Sequence, residues 1–401
     1  MIPEHLLSEL DRRLAPVDAA RLAAYPGESS TRQPVHTCYV PADAVVPGLV
    51  GHWGEAALAA LDEHGLPDLA LPAALVEEVL PRVRAKLAAE PVEDLRVDAE
   101  DGYRGSPDAE DGDVRAAAAV LAAEPGLPPF VGIRAKSLEE PTRRRGVRSL
   151  ELFLTGLAGA GRERAIVTLP KVTAVEQVSA FLPVLDALQD ASGVALDLEL
   201  QVETPQAVLG ADGTATLARM LHAGAGRVTG LHYGTYDYSA SLGIAAAHQA
   251  SDHPAADAAK QAMQVAVAGT GARAVDGSTN VLPIGTTAEV HAAWRLHAGL
   301  VRRALERGFY QGWDLHPAQL VTRYVATYAF FRDALPAAAA RLAGYVARVE
   351  GGVLDEPATA RALATVVLRG LDCGALDVAE VESATGLDRA ALDGLAGRRP
   401  R

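Results

Sequence analysis

Residues 227–234 read RVTGLHYG, and the chain continues as TYDYSASLGI over residues 235–244. The largely apolar run from Val228 to Leu231 predicts a short buried strand, which opens into a turn loosened by Gly234. A carboxylate, Asp237, stands just beyond the end of that strand. Such an acid is either a helix cap or solvated loop residue, or part of a site. The rest of the chain has to distinguish these two interpretations.

Seven further runs rich in strand-forming residues alternate with helix-patterned segments. They are 35–42 (VHTCYVPA), 95–102 (LRVDAEDG), 130–137 (FVGIRAKS), 165–172 (AIVTLPKV), 196–205 (LDLELQVETP), 272–278 (ARAVDGS) and 312–319 (GWDLHPAQ). Strands that alternate with helices pair in parallel through right-handed crossovers, and eight such strands close a barrel. The pattern therefore predicts an α/β fold of the (β/α)8 TIM-barrel type.

The flanking segments predict additions to that barrel. Residues 1–33 are expected to form an N-terminal helical arm, and residues 34–320 the barrel domain. Within the barrel domain, residues 44–92 are expected to form a mostly helical excursion between the first two strands. Residues 321–401 are Ala-rich and predict a C-terminal helical region.

Composition narrows the class of partner. The chain has 401 residues, of which 49% are hydrophobic and 22% charged, as in a globular protein with a sizeable core. Its net charge of −14 argues against nucleic acid and anionic membrane surfaces as partners. Only Cys38 and Cys373 are present, and the chain lacks a secretion-signal pattern and any run long enough to span a membrane. A cytoplasmic protein is expected.

Charged or hydrogen-bonding residues end or follow nearly every predicted strand. They are Asp98, Glu100, Asp101, Arg134, Lys136, Lys171, Glu203, Asp237, Asp276 and His316. In a parallel barrel these positions converge on the carboxyl-terminal face, where barrel enzymes carry their active sites. Any one of them alone is explained by a strand end leaving the core. The same pattern on seven consecutive strands favours a functional site at the carboxyl-terminal face.

Glu203 and Asp237 end the fifth and sixth strands and are predicted to be neighbours. Two unpaired carboxylates so placed repel each other, and a divalent cation removes that repulsion. Because no His or Cys is clustered with them in sequence, the oxygen-preferring Mg²⁺ fits best, with Mn²⁺ as an alternative. The sequence thus predicts that Asp237 is half of a metal site.

Two basic residues are candidates for the same rim. Arg134 carries a planar guanidinium suited to a carboxylate or enolate oxygen, or it forms a structural ion pair with a rim acid. Lys171 is either a Schiff-base nucleophile or an ion-pair partner within the acidic rim, and the predicted metal makes the first role redundant.

The cluster of Asp98, Glu100 and Asp101 also has two interpretations. Strand alternation predicts that Asp98 and Glu100 face one side and Asp101 the other. In one interpretation the inward pair binds metal-coordinated water and orients Arg134; in the other, all three acids form salt bridges with Lys136 or Lys171.

Histidines and a basic run complete the candidates. His316 precedes a proline on an extended segment, where a functional and a structural role are both open. His232 lies within a predicted strand and is interpreted as a core histidine. The run TRRRGVR (142–148) either starts a solvated helix or contacts phosphate groups.

Seven motifs in chain order resemble those of the citrate lyase β-subunit-like and HpcH/HpaI aldolase superfamily, which is built on the phosphoenolpyruvate/pyruvate-type barrel. They are CYVPAD (38–43), VDAEDG (97–102), IRAK (133–136), LPKV (169–172), VETPQAV (202–208), GTYDYSASLG (234–243) and GWDLHPAQL (312–320). The resemblance extends from about residue 34 to residue 320.

The resemblance implies Mg²⁺-dependent cleavage of a carbon–carbon bond in a small 2-oxo or 2-hydroxy acid, free or as its coenzyme A thioester. It implies that Glu203 and Asp237 are the metal ligands and that Arg134 steadies enolate charge. Gly234, Thr235 and Tyr236, together with His316, are expected to contact the substrate.

One stretch departs from that pattern. The second strand is followed by DGYR (101–104), so Tyr103 and Arg104 stand where the aldolase branch places a histidine base, and no general base is carried over. A condensing transferase of malate synthase type and a non-catalytic anion-binding barrel stay open as alternatives. A homo-oligomer is expected, because relatives commonly assemble.

Overall fold

A computed structural model describes residues 2–158, 161–347 and 356–399. Its sheet has eight strands, and all eight predicted runs contribute one. The strands are β1 (His36–Pro41), β2 (Asp94–Asp98), β3 (Phe130–Arg134), β4 (Arg164–Leu169), β5 (Ala195–Val202), β6 (Val228–Tyr233), β7 (Arg273–Val275) and β8 (Gly312–Asp314). The predicted (β/α)8 TIM barrel is confirmed.

The sheet is parallel throughout and has the order β7-β6-β5-β4-β3-β2-β1-β8. The two end strands, β7 and β8, are only three residues long. Directly after β7, the backbone N–H of Asp276 donates to the carbonyl of Gln311 at 2.9 Å. This bond joins the two ends of the sheet, so the barrel is nearly closed.

Helices surround the strands and extend the fold at both ends. They are α1 (Glu4–Ala24), α2 (Leu49–His64), α3 (Ala73–Ala89), α4 (Pro107–Ala123), α5 (Arg143–Leu157), α6 (Val175–Ser192), α7 (Pro205–Val208), α8 (Thr216–Ala223), α9 (Thr235–Ser241), α10 (Pro254–Val267), α11 (Thr287–Glu306), α12 (Gln319–Ala347), α13 (Pro357–Cys373), α14 (Val378–Thr385) and α15 (Arg389–Ala396). Helices α2 and α3 lie between β1 and β2, within residues 44–92. Parts of the predicted arm and C-terminal region, residues 1, 348–355 and 400–401, lie outside the described residues.

The amino-terminal half of the barrel interior holds a buried layer of charge. The guanidinium of Arg96, which is fully buried, bonds Asp94 at 2.5 Å and Glu199 at 2.8 Å. His232 lies beside them, with Nε2 3.2 Å from Glu199, so it is buried in the barrel as predicted. Burial alone would raise the pKa of Glu199, but the charges of Arg96 and His232 hold it well below its usual value. The charge of Glu199 is thereby compensated inside the barrel.

Two sequence-level features are visible in the fold. Cys38 and Cys373 are both free and buried. Among the described residues, none of the helices combines the length and apolar character needed to cross a membrane.

Candidate active site at the carboxyl-terminal rim

A cavity of about 610 Å³ opens at the carboxyl-terminal ends of the strands. Its wall contains charged side chains at or just after the ends of β2, β3, β5 and β6, and apolar side chains from β1, from β8 and from just after β8. These residues are Asp98, Arg134, Glu203, Asp237, Tyr39, Trp313 and Leu315. The strand ends therefore converge as the sequence predicted, and the cavity is the candidate active site.

Glu203 is a deeply buried acid of this cavity. It follows β5 directly and is 2% exposed. Its carboxylate accepts a hydrogen bond from the backbone N–H of Lys171 at 3.1 Å. Burial raises the pKa of Glu203 to about 8; the charge of Arg134 opposes this rise, and the negative charge of Asp237 adds to it. The positive charge near Glu203 is therefore not enough to offset the cost of burying its ionised form.

Gly234 makes room for that carboxylate. It follows β6, and its N–H donates to the carbonyl of Val202 at 3.1 Å, which continues the pairing with β5. A Cβ at position 234 would overlap the Cγ of Glu203. Only glycine allows this close approach.

Asp237 lies in the first turn of α9 and has a side chain that is 43% exposed. Burial raises its pKa, while the Lys171 ammonium, 3.9 Å from Oδ1, works in the opposite direction. Glu203 and Asp237 thus line one cavity from adjacent strands, and each holds its proton more tightly than a free carboxyl group.

Arg134 is fixed at the base of the cavity by Asp98. Its Nε and Nη2 bond the two carboxylate oxygens at 2.8 and 2.5 Å. Asp98 also accepts the backbone N–H groups of Glu100, at 3.0 Å, and Gly102, at 2.9 Å. The guanidinium lies over the ring of Tyr39 with 4.8 Å to the centroid. Its Nη1 is 3.6 Å from Glu100 and is the nitrogen not held by Asp98.

Lys171 closes the acidic side of the rim. Its Nζ bonds Glu100 at 2.5 Å and Asp101 at 2.6 Å. Burial would lower the pKa of Lys171, but the hydrogen bonds to Asp101 and Glu100 raise it well above its ordinary value. The amine is therefore protonated at neutral pH, which favours ion pairing over the Schiff-base role.

The predicted alternation of the second strand is wrong at its end. Strand β2 stops at Asp98, and the chain then turns, so Glu100 and Asp101 reach the same ammonium instead of opposite sides. Lys136 does not join them, because it bonds the carbonyl of Ala99 at 2.8 Å and Glu110 at 3.0 Å.

Of the remaining residues predicted to contact the substrate, some line the cavity and one does not. Thr235 and Tyr236 line the cavity; the Thr235 hydroxyl donates to the carbonyl of Ser278 at 3.2 Å, and the Tyr236 oxygen accepts the N–H of Asn280 at 2.6 Å. His316 does not line it, and its Nδ1 accepts the N–H of Ala318 at 3.2 Å. The substrate roles stay predictions.

One further strand-end acid points elsewhere. Asp276 bonds the ammonium of Lys260 at 2.9 Å and does not line the cavity.

Sequence reasoning missed the apolar wall formed by Tyr39, Trp313 and Leu315. The Tyr39 ring contacts the Arg134 guanidinium, and the Trp313 indole N–H donates to His232 at 3.2 Å. The alternation of β1 was the available signal, since it turns Tyr39 toward the interior between Cys38 and Val40.

The described residues contain no group of three or more His, Cys, Asp or Glu side chains placed to hold a metal ion. That Glu203 and Asp237 together hold a metal ion stays a prediction.

The fold and the cavity define a (β/α)8-barrel protein with a charged pocket at the carboxyl ends of its strands. The chain belongs to the family described as "Domain of unknown function (DUF6986)", which matches residues 14–400. A search of curated proteins finds no match.

Solved structures similar to this chain include citrate lyase and malate synthase. A citrate lyase from Burkholderia xenovorans LB400 has a TM-score of 0.58 at 20% identity, over 88% of this chain and 99% of that chain. Protein CitE from Mycobacterium tuberculosis, in complex with magnesium, acetoacetate and coenzyme A, has a TM-score of 0.52 at 18% identity, over 86% and 99%. Malate synthase from Haloferax volcanii has a TM-score of 0.53 at 14% identity, over 75% and 76%. The resemblance predicted from the sequence is confirmed at the level of the fold.

Proposed function

We propose that the protein is a Mg²⁺-dependent carbon–carbon lyase of the aldolase and citrate lyase type. Its substrate is a small 2-oxo or 2-hydroxy acid, free or as a coenzyme A thioester. The observation that carries the proposal is one cavity in which two carboxylates with raised pKa, Glu203 and Asp237, share a wall with a fixed guanidinium, Arg134.

The two carboxylates fit a hard divalent cation. Glu203 is buried with its pKa near 8, so a cation beside it relieves an electrostatic deficit that the protein alone leaves. Oxygen donors suit Mg²⁺ and Mn²⁺, and a site with few protein ligands leaves coordination positions for substrate oxygens. A bound Mg²⁺ would supply Lewis-acid polarisation of a carbonyl oxygen.

Arg134 is the group that would meet the negative charge of the substrate. Asp98 occupies Nε and Nη2, and the Tyr39 ring supports the guanidinium plane, so Nη1 is held in a defined direction. A donor fixed before the reaction costs no reorganisation when enolate charge develops beside it. Asp98 acts here as a positioning residue.

The ion pairs of Lys171 fix the neighbouring acids of the rim. The ammonium draws Glu100 and Asp101 together and comes within 3.9 Å of Asp237. This leaves Asp98 free to bind Arg134. The apolar wall of Tyr39, Trp313 and Leu315 supports the proposal further, because it excludes water from one side of the cavity.

Similarity of fold supports the class of reaction. The solved structures with this fold include a citrate lyase and a protein determined with magnesium, acetoacetate and coenzyme A. Coenzyme A as part of the substrate of this chain belongs to the proposal. The run TRRRGVR offers it partly exposed arginines at the start of α5, but Arg145 and Arg148 already pair with acids, including Asp111.

Cytoplasmic location and assembly into a homo-oligomer belong to the same proposal. Two free cysteines agree with a reducing compartment. None of the residues of α1 is buried, and Leu10 and Leu14 are about half exposed, at 52% and 46%. Light scattering coupled to gel filtration tests the assembly, and a monomer at micromolar concentration would contradict it.

The decisive experiment is a turnover screen of the full chain with 2-oxo and 2-hydroxy acids and their coenzyme A thioesters. We expect cleavage products with Mg²⁺ present and none with EDTA, and we expect Glu203→Gln to be inactive. Asp190 on α6 is exposed and forms no hydrogen bond or ion pair with the described residues, so Asp190→Asn is the matched control. Turnover that survives both EDTA and Glu203→Gln would overturn the proposal.

A condensing reaction of malate synthase type is the second candidate, favoured by the malate synthase among the solved structures with this fold. Incubation with glyoxylate and acetyl-coenzyme A distinguishes the two, because condensation releases free coenzyme A thiol. If neither screen gives turnover although Mg²⁺ binds, the barrel is a non-catalytic anion-binding protein.

A further inference from the structure

A second charged cavity lies at the opposite end of the barrel. It measures about 450 Å³ and is bordered by the segments that enter β1, β7 and β8, together with α13 and Arg398 near the C-terminus. Arg273, the first residue of β7, and Tyr310, two residues before β8, mark the amino-terminal end of the strands. None of its lining residues belongs to the rim cavity.

The charge of this cavity opposes that of the whole chain. Four arginines line it among the described residues, Arg273, Arg361, Arg369 and Arg398, against one carboxylate, Glu28. The chain as a whole has a net charge of −14. Guanidinium groups gathered in one concave place in an acidic protein concentrate a local positive field, which attracts anions.

Two of these guanidinium groups keep donors that nothing in the described structure accepts. Arg369 and Arg398 have side chains that are 16% and 4% exposed, and the Nε of each is buried without a hydrogen-bond partner. A buried donor on a charged group costs free energy while it is unpaired. An oxyanion in the cavity would accept from such donors.

The other contacts hold these arginines in place. The guanidinium of Arg369 lies over the Tyr310 ring at 4.2 Å, and its terminal nitrogens bond Gln33 and, at 3.5 Å, Glu28. Arg398 bonds Asp372 at 2.9 Å. The groups are therefore positioned by the fold before any ligand arrives.

Arg361 is free to complete the site. It is exposed on α13, about two helical turns before Arg369, and has no acid partner among the described residues. Its charge is thus uncompensated at the border of the cavity. A long, flexible guanidinium there can close on a ligand without giving up an existing ion pair.

We propose that this cavity is a binding site for a small anion that carries phosphate or carboxylate oxygens. The fork of each guanidinium matches the oxygens of either group, and several arginines favour a ligand with more than one negative charge. A volume of about 450 Å³ lies in the range of small-molecule sites. The site is separate from the rim cavity and does not depend on the function proposed for it.

Thermal unfolding of the full chain in EDTA buffer tests the site, with inorganic phosphate and with citrate titrated against chloride at equal ionic strength. A ligand that binds only the native state raises the Tm with concentration, and the titration gives an apparent Kd. We expect Arg361→Gln to weaken binding at least about tenfold, which is the loss of one charge-assisted hydrogen bond. Arg369→Lys, which keeps the charge but loses the Nε donor, should weaken it similarly.

Two controls make the result specific. Arg144 on α5 is exposed and pairs with no acid among the described residues. The variant Arg144→Gln removes the same charge, and it should bind the anions as the wild type does. Asp237→Asn alters the rim cavity and should leave the anion response intact. A response to phosphate alone assigns a phosphate ligand, and one to citrate alone assigns a carboxylate; both support the site.

Three results would overturn the inference. They are no response to either anion, an unchanged Kd in Arg361→Gln and Arg369→Lys, or a response lost in Asp237→Asn but kept in Arg361→Gln. The last would place the anion at the rim.

Discussion

Asp98 and Arg134 stand directly opposite each other on the paired strands β2 and β3 and form a two-point ion pair at 2.8 and 2.5 Å. Both side chains are nearly buried, at 2% and 7% exposure. A bidentate pair on two rigid strands fixes the guanidinium plane as well as its position. The arginine is thereby oriented by the fold, and the substrate does not have to order it.

The first prediction follows from this pair. Asp98→Asn leaves Nη2 of Arg134 facing an amide donor and removes the counter-charge of a buried cation. We expect a loss of stability of about 3 kcal/mol, since breaking a buried ion pair from one side leaves an uncompensated charge. Urea denaturation measures it, and Asp190→Asn should change stability by less than about 0.5 kcal/mol. Equal stability of the two variants would remove Asp98 as the anchor of Arg134.

The second prediction concerns the guanidinium group of Arg134. Arg134→Lys keeps a positive charge but cannot bond both oxygens of Asp98 and still present a third nitrogen to the cavity. We expect kcat to fall about 100-fold, as when a fixed donor to developing charge is removed. Steady-state kinetics on the substrate found by the turnover screen provide the test. Arg144→Lys on the exposed start of α5 is the control, and normal turnover by Arg134→Lys would separate Arg134 from catalysis.

The eight strands and the meeting of Glu203 with Asp237 at one cavity were predictable from the sequence. The strands are apolar runs between helical periodicities, and β5 and β6 are consecutive, so the acids that follow them must share one rim. The three-residue strands β7 and β8 also lie within predicted runs.

The pairing of charges within that rim was not predictable. The predicted run extends to residue 102, but β2 ends at Asp98. Strand alternation therefore does not apply to Glu100 and Asp101, and the side predicted for Asp101 is wrong. Asp276 directly follows β7, as Glu203 directly follows β5, yet it forms an ion pair with Lys260 on α10. Which cation lies nearest to an acid depends on side-chain packing between elements that are distant in sequence.

The third prediction uses Gly234. A methyl group there would overlap Glu203, so Gly234→Ala must displace the carboxylate or the backbone of β6. We expect Mn²⁺ affinity, measured by electron paramagnetic resonance, to fall at least about tenfold, in line with the sensitivity of metal sites to the groups that orient their ligands. Gly112→Ala on α4 is the control because a Cβ at that position meets nothing within 4 Å. Wild-type affinity in Gly234→Ala would show that Glu203 does not bind the metal.

The last prediction is a pH dependence of the metal-free protein. The pKa of Glu203 is about 8 in the folded chain, above the value of about 4.3 for an unfolded glutamate. Between these values the folded state binds more protons than the unfolded state, so the free energy of unfolding falls as pH rises from about 4.5 to 8. The loss attributable to Glu203 is on the order of a few kcal/mol, since each pKa unit corresponds to about 1.4 kcal/mol.

Urea denaturation in EDTA at several pH values measures this slope. Glu203→Gln cannot ionise, so the variant should lose less stability than the wild type between pH 5 and 8 and exceed it in stability at pH 8. Saturating Mg²⁺ should flatten the wild-type profile, because a cation that binds the ionised carboxylate favours the charged folded state. Parallel profiles for the wild type and Glu203→Gln would mean that burial does not hold the proton on Glu203, and the electrostatic argument for a cation at this rim would then lack its basis.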